Sequence, residues 1–280
     1  MSTLYIVATP IGNLKDLSHR AQETLKQVEW IAAEDTRTSK VLLDQYGIES
    51  KLIAYHAHNE AAASEGLIQK LQAGQSIALI SDAGTPTIQD PGYHLVHKAR
   101  LAGIPVIPIP GPSALIAALS VSGLSLEQGF RFVGFLPAKA SGREKILNTL
   151  STERIPLIFY EAPHRIAECL QSMKTCFGGQ REVLIARELT KKFEQTVMTT
   201  LDQSLQWITD NTIPCRGEFV VVVAGEKAPV VDVADTQTEA WLQELLAVMP
   251  LKQAVQIIAT VTQLPKNQIY EQALILKKQT

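Results

Sequence analysis

The sequence predicts an α/β protein: two tandem α/β domains followed by a small helical unit. Three observations carry this reading. Through the first half, short β-branched or aromatic runs alternate with stretches whose apolar residues recur at spacings of three and four. The alternation restarts after residue 131, and from residue 236 only helical patterns remain. The expected divisions are therefore 1–130, 131–230 and 236–280, a reasonable partition for 280 residues when a domain holds roughly 100–200.

In the first domain, strands are expected at Leu4–Ala8, Trp30–Ala33, Lys51–Tyr55, Ser76–Ile80 and Pro105–Ile109. Helices are expected between them at Leu17–Val28, Thr38–Tyr46, Ala61–Leu71, Tyr93–Ala102 and Ser113–Ser122. Such alternation requires crossover connections, hence a mainly parallel sheet covered on both faces. Arg131–Phe135 marks the boundary. Beyond it, Ser141 and Glu144 have capping-box spacing for a helix running to Leu150. Strands follow at Ile155–Tyr160, Glu182–Arg187, Gln195–Leu201 and Glu218–Ala224, with a helix over Arg165–Phe177. The run Phe219–Val223 is apolar on both faces and reads as a central strand. Lys227–Asp235, rich in Pro, Val and Asp, reads as a linker. Helices at Glu239–Val248, Leu251–Thr262 and Asn267–Lys277 complete the chain, with a turn at Leu264–Asn267 compatible with a helix-turn-helix or with any short helical hairpin.

The 46% apolar and 19% charged composition is that of a packed chain and excludes disorder. Cys169, Cys176 and Cys215 are an odd number without CxxC spacing or a histidine cluster, so no metal site is expected and a reducing compartment fits best. The start lacks the basic and long apolar regions of a secretory signal, and a cytoplasmic location is expected. Leu101–Leu126 carries no charged side chain, but Pro105, Pro108, Pro110 and Pro112 prevent it from spanning a bilayer as a helix. A net charge of -2 predicts no strong nonspecific grip on nucleic acid, yet leaves room for a local basic face.

Ligands of open α/β sheets lie beyond the carboxyl ends of the strands, so the loops there are the candidate sites. After the first strand comes Thr9-Pro10-Ile11-Gly12-Asn13-Leu14, where Gly12 permits close approach and Asn13 either caps a helix or meets a ligand. GxGxxG and GxxxxGK[ST] are both absent, which argues against a dinucleotide or NTP site. After the fourth strand, Ser81-Asp82-Ala83-Gly84-Thr85-Pro86 precedes Asp90-Pro91-Gly92-Tyr93. Asp82 is either a ligand-binding carboxylate beside small residues or an ordinary turn aspartate that accepts from backbone amides. Pro110-Gly111-Pro112-Ser113-Ala114 opens a helix with Ser113 at the expected N-cap, where free N–H groups face either a ligand carboxylate or only the cap. In the second domain, Tyr160–Arg165 and Ala186–Lys192 gather basic residues.

The strings TPIGNL (Thr9–Leu14), AAEDTR (Ala32–Arg37), SDAGTP (Ser81–Pro86), DPGY (Asp90–Tyr93), PGPSA (Pro110–Ala114), GFLP (Gly134–Pro137), YEAPHR (Tyr160–Arg165) and ARELTK (Ala186–Lys191) occur in this order across nearly the whole chain. Together they identify a resemblance to the tetrapyrrole methylase superfamily, and within it to the branch that methylates small-subunit ribosomal RNA on a cytidine 2′-oxygen. The resemblance implies S-adenosylmethionine held in the cleft between the two α/β domains, a homodimer, and as partner either the RNA or the assembled small ribosomal subunit. Carried over by position, Pro10, Asp82, Gly84, Thr85, Ser113, Ala114, Tyr160 and Ala186 should line the cofactor pocket. The first loop lacks the glycine-proline-glycine-aspartate usual in the tetrapyrrole enzymes, a departure that fits the RNA-modifying branch.

A ribose hydroxyl is a poor nucleophile, so a general base is expected near the methyl. Glu161, His164, Glu188 and, if its pKa is lowered, Lys191 are candidates, each with the competing role of a phosphate contact or structural ion pair. Asp35 is placed to organise the cleft instead. Lys139, Arg143, Lys145, Arg165, Arg187, Lys191, Lys192 and Arg216 form a candidate basic rim for RNA phosphates, with Lys252, Lys266, Lys277 and Lys278 as a second contact or a packing surface. Two other functions fit the pattern less well: methylation of a tetrapyrrole, and an RNA- or DNA-binding regulator whose C-terminal helices read a duplex.

Overall fold

The computed structural model describes residues 2–227, 236–262 and 264–279. Packing divides the chain into two compact units, 1–226 and 227–280, each with its own core. The expected linker lies outside the described residues beyond Lys227.

Five short apolar strands build the first sheet: β1 (Leu4–Val7), β2 (Trp30–Ala33), β3 (Lys51–Ala54), β4 (Ile77–Ile80) and β5 (Val106–Ile109). All neighbours pair in parallel, in the order β3-β2-β4-β1-β5. Alternate side chains leave opposite faces of a strand, so each face needs its own cover. Helices α1 (His19–Gln27) and α2 (Thr36–Gln45) cover one face, with Leu25 and Leu43 packing against Val7, Ile31 and Ile80. Helices α3 (Glu60–Gln72) and α4 (Tyr93–Leu101) cover the other, with Leu67, Leu71 and Leu95 against Leu4, Ala32, Ile77 and Leu79. The chain thus leaves β1 toward one face and β4 toward the other. Because these strands are neighbours, the loops after them stand side by side over a crevice.

Helix α5 (Ala114–Ser120) leads into a second sheet of β6 (Arg131–Phe135), β7 (Leu157–Glu161), β8 (Glu182–Arg187), β9 (Gln195–Thr200) and β10 (Phe219–Val223), ordered β6-β7-β10-β8-β9. Arg131–Phe135 is therefore a strand and not only a boundary. Only β6 and β7 pair in parallel; the other neighbours are antiparallel. β10 is central and buried along its whole length, as its run of valines requires. One face packs on α6 (Ala140–Leu150), α7 (Ile166–Phe177) and α8 (Leu201–Thr209), with Phe159, Ile166, Leu170 and Val221 in the core. Against the other face, Leu115, Ala118 and Leu119 of α5 meet Ile158, Leu184, Val220 and Val222.

Two local expectations are corrected. The capping box at Ser141 and Glu144 does not form, because α6 begins two residues earlier, with Lys139 in place of Ser141 at its N-cap and no side-chain cap. Helix α8 was not anticipated, although Thr200 caps it by accepting from the Gln203 amide. The region of four prolines is β5, a loop and α5, and among the described residues no helix is long and apolar enough to cross a membrane.

The second unit is three helices, α9 (Thr236–Val248), α10 (Leu251–Thr262) and α11 (Lys266–Gln279), closed around Leu242, Val255, Ile258, Ile269 and Leu276. At the α10–α11 turn, the Gln268 amide donates to the Pro265 carbonyl at 3.0 Å.

Phe159 is fully buried between β10 and α7. Phe159→Ala is expected to cost about 3–5 kcal/mol in urea unfolding; a loss under about 1 kcal/mol would mean that this core tolerates a void.

Candidate functional site

Backbone pairing laces the loops of the first half together. Thr9 and Gly84 exchange amide-to-carbonyl bonds of 2.9 and 3.0 Å, and the Thr9 hydroxyl donates to the Ser81 carbonyl at 3.0 Å. The Thr85 hydroxyl donates to the Pro112 carbonyl at 3.0 Å, joining the fourth-strand loop to the start of α5. Gly84 takes φ +84°, which a side chain would strain.

Beneath these loops lies a cavity of about 470 Å³, within the usual size range of small-molecule sites. Gly84, Thr85, Ser113, Ala114, Tyr160 and Glu161 of the sequence-predicted residues line it. Its walls also include Ile11, Ala83, Ile88, Phe135, Leu189 and Val220, with Asp90 and Glu218 among the polar groups. Both sheets contribute.

Unusual backbone geometry is concentrated at its rim. Of the five described non-glycine residues with positive φ, four occur in two loops: Thr87 (+73°) and Gln89 (+70°) flank Ile88, while Glu188 (+51°) and Thr190 (+67°) flank Leu189. Each such residue costs on the order of 1–3 kcal/mol and persists only where its surroundings fix it. In both loops the residue between the strained pair is the apolar one facing the cavity.

Contacts across the two halves supply that fixation. A Cβ on Gly12 would collide with the stem of Lys191, and one on Gly134 with the amide of Gln89. Tyr160 is held edge-on to Phe132 and Phe135, at ring distances of 5.0 and 5.7 Å, and its hydroxyl accepts from the Leu115 amide at 3.2 Å. Burial raises its pKa, the Leu115 bond opposes this, and nearby Asp90 raises it further. One of the N–H groups expected to be free for a ligand is thus already used. Ser113 does occupy the N-cap of α5, but its hydroxyl makes no capping bond.

Three other predicted pocket residues border the site without lining the cavity. Pro10 is buried beside Ile11. Asp82 is exposed and accepts from the Asp35 amide at 3.0 Å, a bond that ties its loop to the one after β2. Ala186 is fully buried in β8. Asp35 caps α2, accepting from the Arg37 amide at 2.8 Å. Asn13 likewise caps, accepting from the Lys15 amide.

Of the candidate bases, Glu161 borders the cavity at the end of β7, but strand parity puts its side chain with Phe159 and opposite Tyr160. There its Oε1 accepts from the Ala162 amide at 2.9 Å and lies 3.2 Å from Arg165 Nε, while Oε2 has no partner. The carboxylate raises the pKa of Cys169 in addition to the larger effect of burial. His164 is exposed. Lys191 bonds Glu188 and Glu218, each at 2.8 Å. Burial alone would lower its pKa, but the two carboxylates outweigh burial and raise it. The lowered pKa that a lysine base needs is therefore absent. Glu188 is correspondingly depressed, its burial overcome by bonds from Lys191 and the Glu218 amide.

The basic rim is smaller than expected. Arg143 is buried, donating to Ser172 Oγ at 2.9 Å and the Ala138 carbonyl, and Arg187 is buried on Gln195 and the Arg216 carbonyl. Lys139, Lys145, Lys192 and Arg216 are exposed. Among the described residues no cluster of three or more His, Cys, Asp or Glu side chains is gathered for a metal.

Sequence reasoning missed Asp90 as a cavity residue. The DPGY string gave its position, but the crowding around it is tertiary. Burial and the charges of Glu34 and Asp82 push its pKa up to about 6, against a hydrogen bond with Ser81.

Residues 3–204 match the family model described as Tetrapyrrole (Corrin/Porphyrin) Methylases, and residues 232–277 match one described as RsmI C-terminal HTH domain. Proteins named ribosomal RNA small subunit methyltransferase I are similar along almost their whole length. That of Pseudomonas aeruginosa is 49% identical, covering 97% of this chain and 96% of its own; that of Xylella fastidiosa (strain Temecula1) is 50% identical, covering 96% and 97%. Among solved structures, a cobalt precorrin-4 methyltransferase superposes with TM-score 0.59 at 13% identity, over 79% of this chain and 94% of its own. Uroporphyrin-III C-methyltransferase of Thermus thermophilus gives 0.55 at 18%, over 80% and 94%. At such identities the likeness shows the fold.

Lys191→Ala removes the stem that covers Gly12 and the cation between two carboxylates. Amide exchange is expected to quicken at Gly12–Leu14 while α3 is unchanged; equal protection in both proteins would show that the loop stands without Lys191.

Proposed function

The chain belongs to the tetrapyrrole methylase family, and we propose that it carries out S-adenosylmethionine-dependent 2′-O-methylation of a cytidine ribose in small-subunit (16S) ribosomal RNA. The observation that carries this is near-full-length identity of about one half to relatives named for methylation of that RNA. The solved tetrapyrrole enzymes share the fold at 13–18% identity and lend no weight to a tetrapyrrole substrate.

The cavity residues fit the cofactor. Ile11, Ile88, Leu189 and Val220 offer apolar surface for an aromatic base, and Thr85, Ser113, Asp90 and Tyr160 a few polar groups. Pro10, Asp82 and Ala186 complete the proposed pocket by shaping its border. When bound, the cofactor supplies a methyl group already activated by a sulfonium. The protein's task is to orient the hydroxyl and exclude water, an effect worth roughly 7–11 kcal/mol in well-aligned systems. Gly84 and Gly111 let the first-half loops close on one another: a Cβ on Gly111 would come within 3.0 Å of Ala8. The exposed Lys139, Lys145, Lys192 and Arg216 are proposed to meet RNA phosphates, with His164 and Arg165 as further contacts, so binding should weaken steeply with salt. Division of the first unit into two lobes near residue 131, a cofactor held between those lobes, a homodimer and a cytoplasmic location belong to the same proposal.

Purified small ribosomal subunits incubated with radiolabelled methyl donor should acquire label on a cytidine ribose. Donor binding without any label in the RNA would overturn the substrate assignment. Thr85→Val breaks the bond to Pro112 and is expected to weaken donor binding by about 0.5–1.5 kcal/mol in calorimetry. Full affinity in this variant would remove the fourth-strand loop from the pocket. Removing residues from Thr236 onward should leave donor binding intact, whereas a duplex-reading regulator would lose its function altogether.

A further inference from the structure

We propose that Glu218 and Lys191 read the base of the methylated nucleotide: the Glu218 carboxylate accepts from the 4-amino group of the cytosine, and the Lys191 ammonium donates to the adjacent ring nitrogen. The inference rests on the RNA reading and deepens it, because it names the groups that select the nucleotide whose sugar is methylated.

The backbone fixes the pair in place. Glu218 is the residue before β10, and strand alternation sends its side chain to the side of Val220, where both line the cavity. Lys191 arrives on the loop after β8, in which Glu188 and Thr190 take positive φ. Gly217 takes φ +80°, and a Cβ there would collide with the Glu188 carboxyl, so the two segments meet only because this residue has no side chain. Glu188 is mostly buried, and its Oε1 accepts from the Lys191 ammonium at 2.8 Å and from the Glu218 amide at 3.0 Å. The stem of Lys191 is seated against Gly12. The ammonium is therefore held from within, and its charge is secured: burial opposes it, but the bonds to Glu188 and Glu218 outweigh burial and raise its pKa.

The outer carboxylate is open. The Glu218 side chain is 77% exposed, its Oε2 accepts from Lys191 at 2.8 Å, and among the described residues no donor reaches Oε1. An ammonium carries three N–H groups, of which Lys191 uses two. One acceptor and one donor are thus left side by side at the mouth of the cavity. Cytosine offers the complement, an amino group that donates beside a ring nitrogen that accepts, and a carboxylate is a natural partner for that amino group. Uracil carries the opposite order, a carbonyl beside an N–H, and would set acceptor against acceptor and donor against donor.

The surroundings suit a nucleotide. Exposed Lys192 and Arg216 flank the pair in sequence and match RNA phosphates, whereas an open carboxylate between them repels a phosphate and calls for a donor on the base. Phe135 is more than half exposed and lines the same cavity from β6, two strand spacings or roughly 10 Å from β10, where its ring offers a face to a pyrimidine.

The test uses the full chain at saturating labelled donor, with small subunits reconstituted on three RNAs. In these the methylated cytidine, once mapped, is kept, replaced by uridine, or replaced by a pyrimidin-2-one nucleotide that lacks the amino group. Wild-type kcat/KM is expected to fall about 10–100-fold with either replacement. In Glu218→Gln the carboxamide oxygen turns to Lys191 and its NH₂ faces the base, so the preference for cytidine over uridine should shrink to under about threefold or invert. Slowing of both substrates by the same factor, with the wild-type preference kept, overturns the inference, because a carboxylate that touched the sugar or the donor, or merely held Lys191, would act on both alike. Should the Gln variant fail to fold, the pyrimidin-2-one arm decides: wild-type rates equal to those on cytidine overturn the reading of the amino group. A wild-type protein that binds donor but labels no subunit overturns this inference together with the RNA reading.

Discussion

Helix α5 has seven residues, and the arrangement of the first unit turns on its apolar face. Leu115, Ala118 and Leu119 pack against Ile158, Leu184, Val220 and Val222, covering the one face of the second sheet that α6, α7 and α8 leave open. The helix starts at the PGPSA loop, so the contact that closes the core also sets where Ser113 and Ala114 stand relative to Tyr160. Burying three such side chains contributes several kcal/mol, at roughly 1.5–3 kcal/mol for each large one. That is enough to hold unfavourable backbone geometry in the loops nearby.

The strain is placed with consistency. Thr87 and Gln89 on one side and Glu188 and Thr190 on the other each present a single apolar residue to the cavity. Loops held this way do not need the glycine-rich phosphate cradle of dinucleotide folds. The ligand surface is made by alternating directions of the main chain, and each loop is seated against a glycine of the opposite half. Charge is sorted as well: the second-half carboxylates Glu188 and Glu218 are neutralised by Lys191, while those of the first half crowd one another.

Much of this was readable from periodicity and residue type. The five strands of the parallel sheet are patterned so plainly that their positions were expected within a residue, and Phe219–Val223 announced its central place by being apolar on both faces. The candidate loops followed from strand ends alone. The failures have physical causes. Ser141 and Glu144 have the right spacing for a cap, but the turn after Pro137 starts the helix earlier, so the spacing is never used. The amphipathic pattern of Leu201, Leu205 and Ile208 was hidden behind a strand reading that ended on Leu201. Arg143 and Arg187 looked like surface cations because charge alone does not reveal burial; only the fold shows the serine, glutamine and carbonyl partners that hold them inside. Glu161 stands one step of strand parity away from Tyr160, and the crowding of Asp90 comes from Asp82 in its own loop and from Glu34, which the fold brings from the end of β2.

The order of strands in the second sheet bears on how the chain is made. β10, the strand at the middle, is the last of the ten to be synthesised, and until Phe219–Val223 arrives β7 and β8 have no common neighbour. During that interval the apolar face of α5, made about a hundred residues earlier, lacks Val220 and Val222, the part of its cover that the central strand supplies. The nascent protein thus carries unpaired strand edges and an incompletely covered apolar surface while about a hundred residues are added, and its assembly is decided late, by five residues near the end of the first unit.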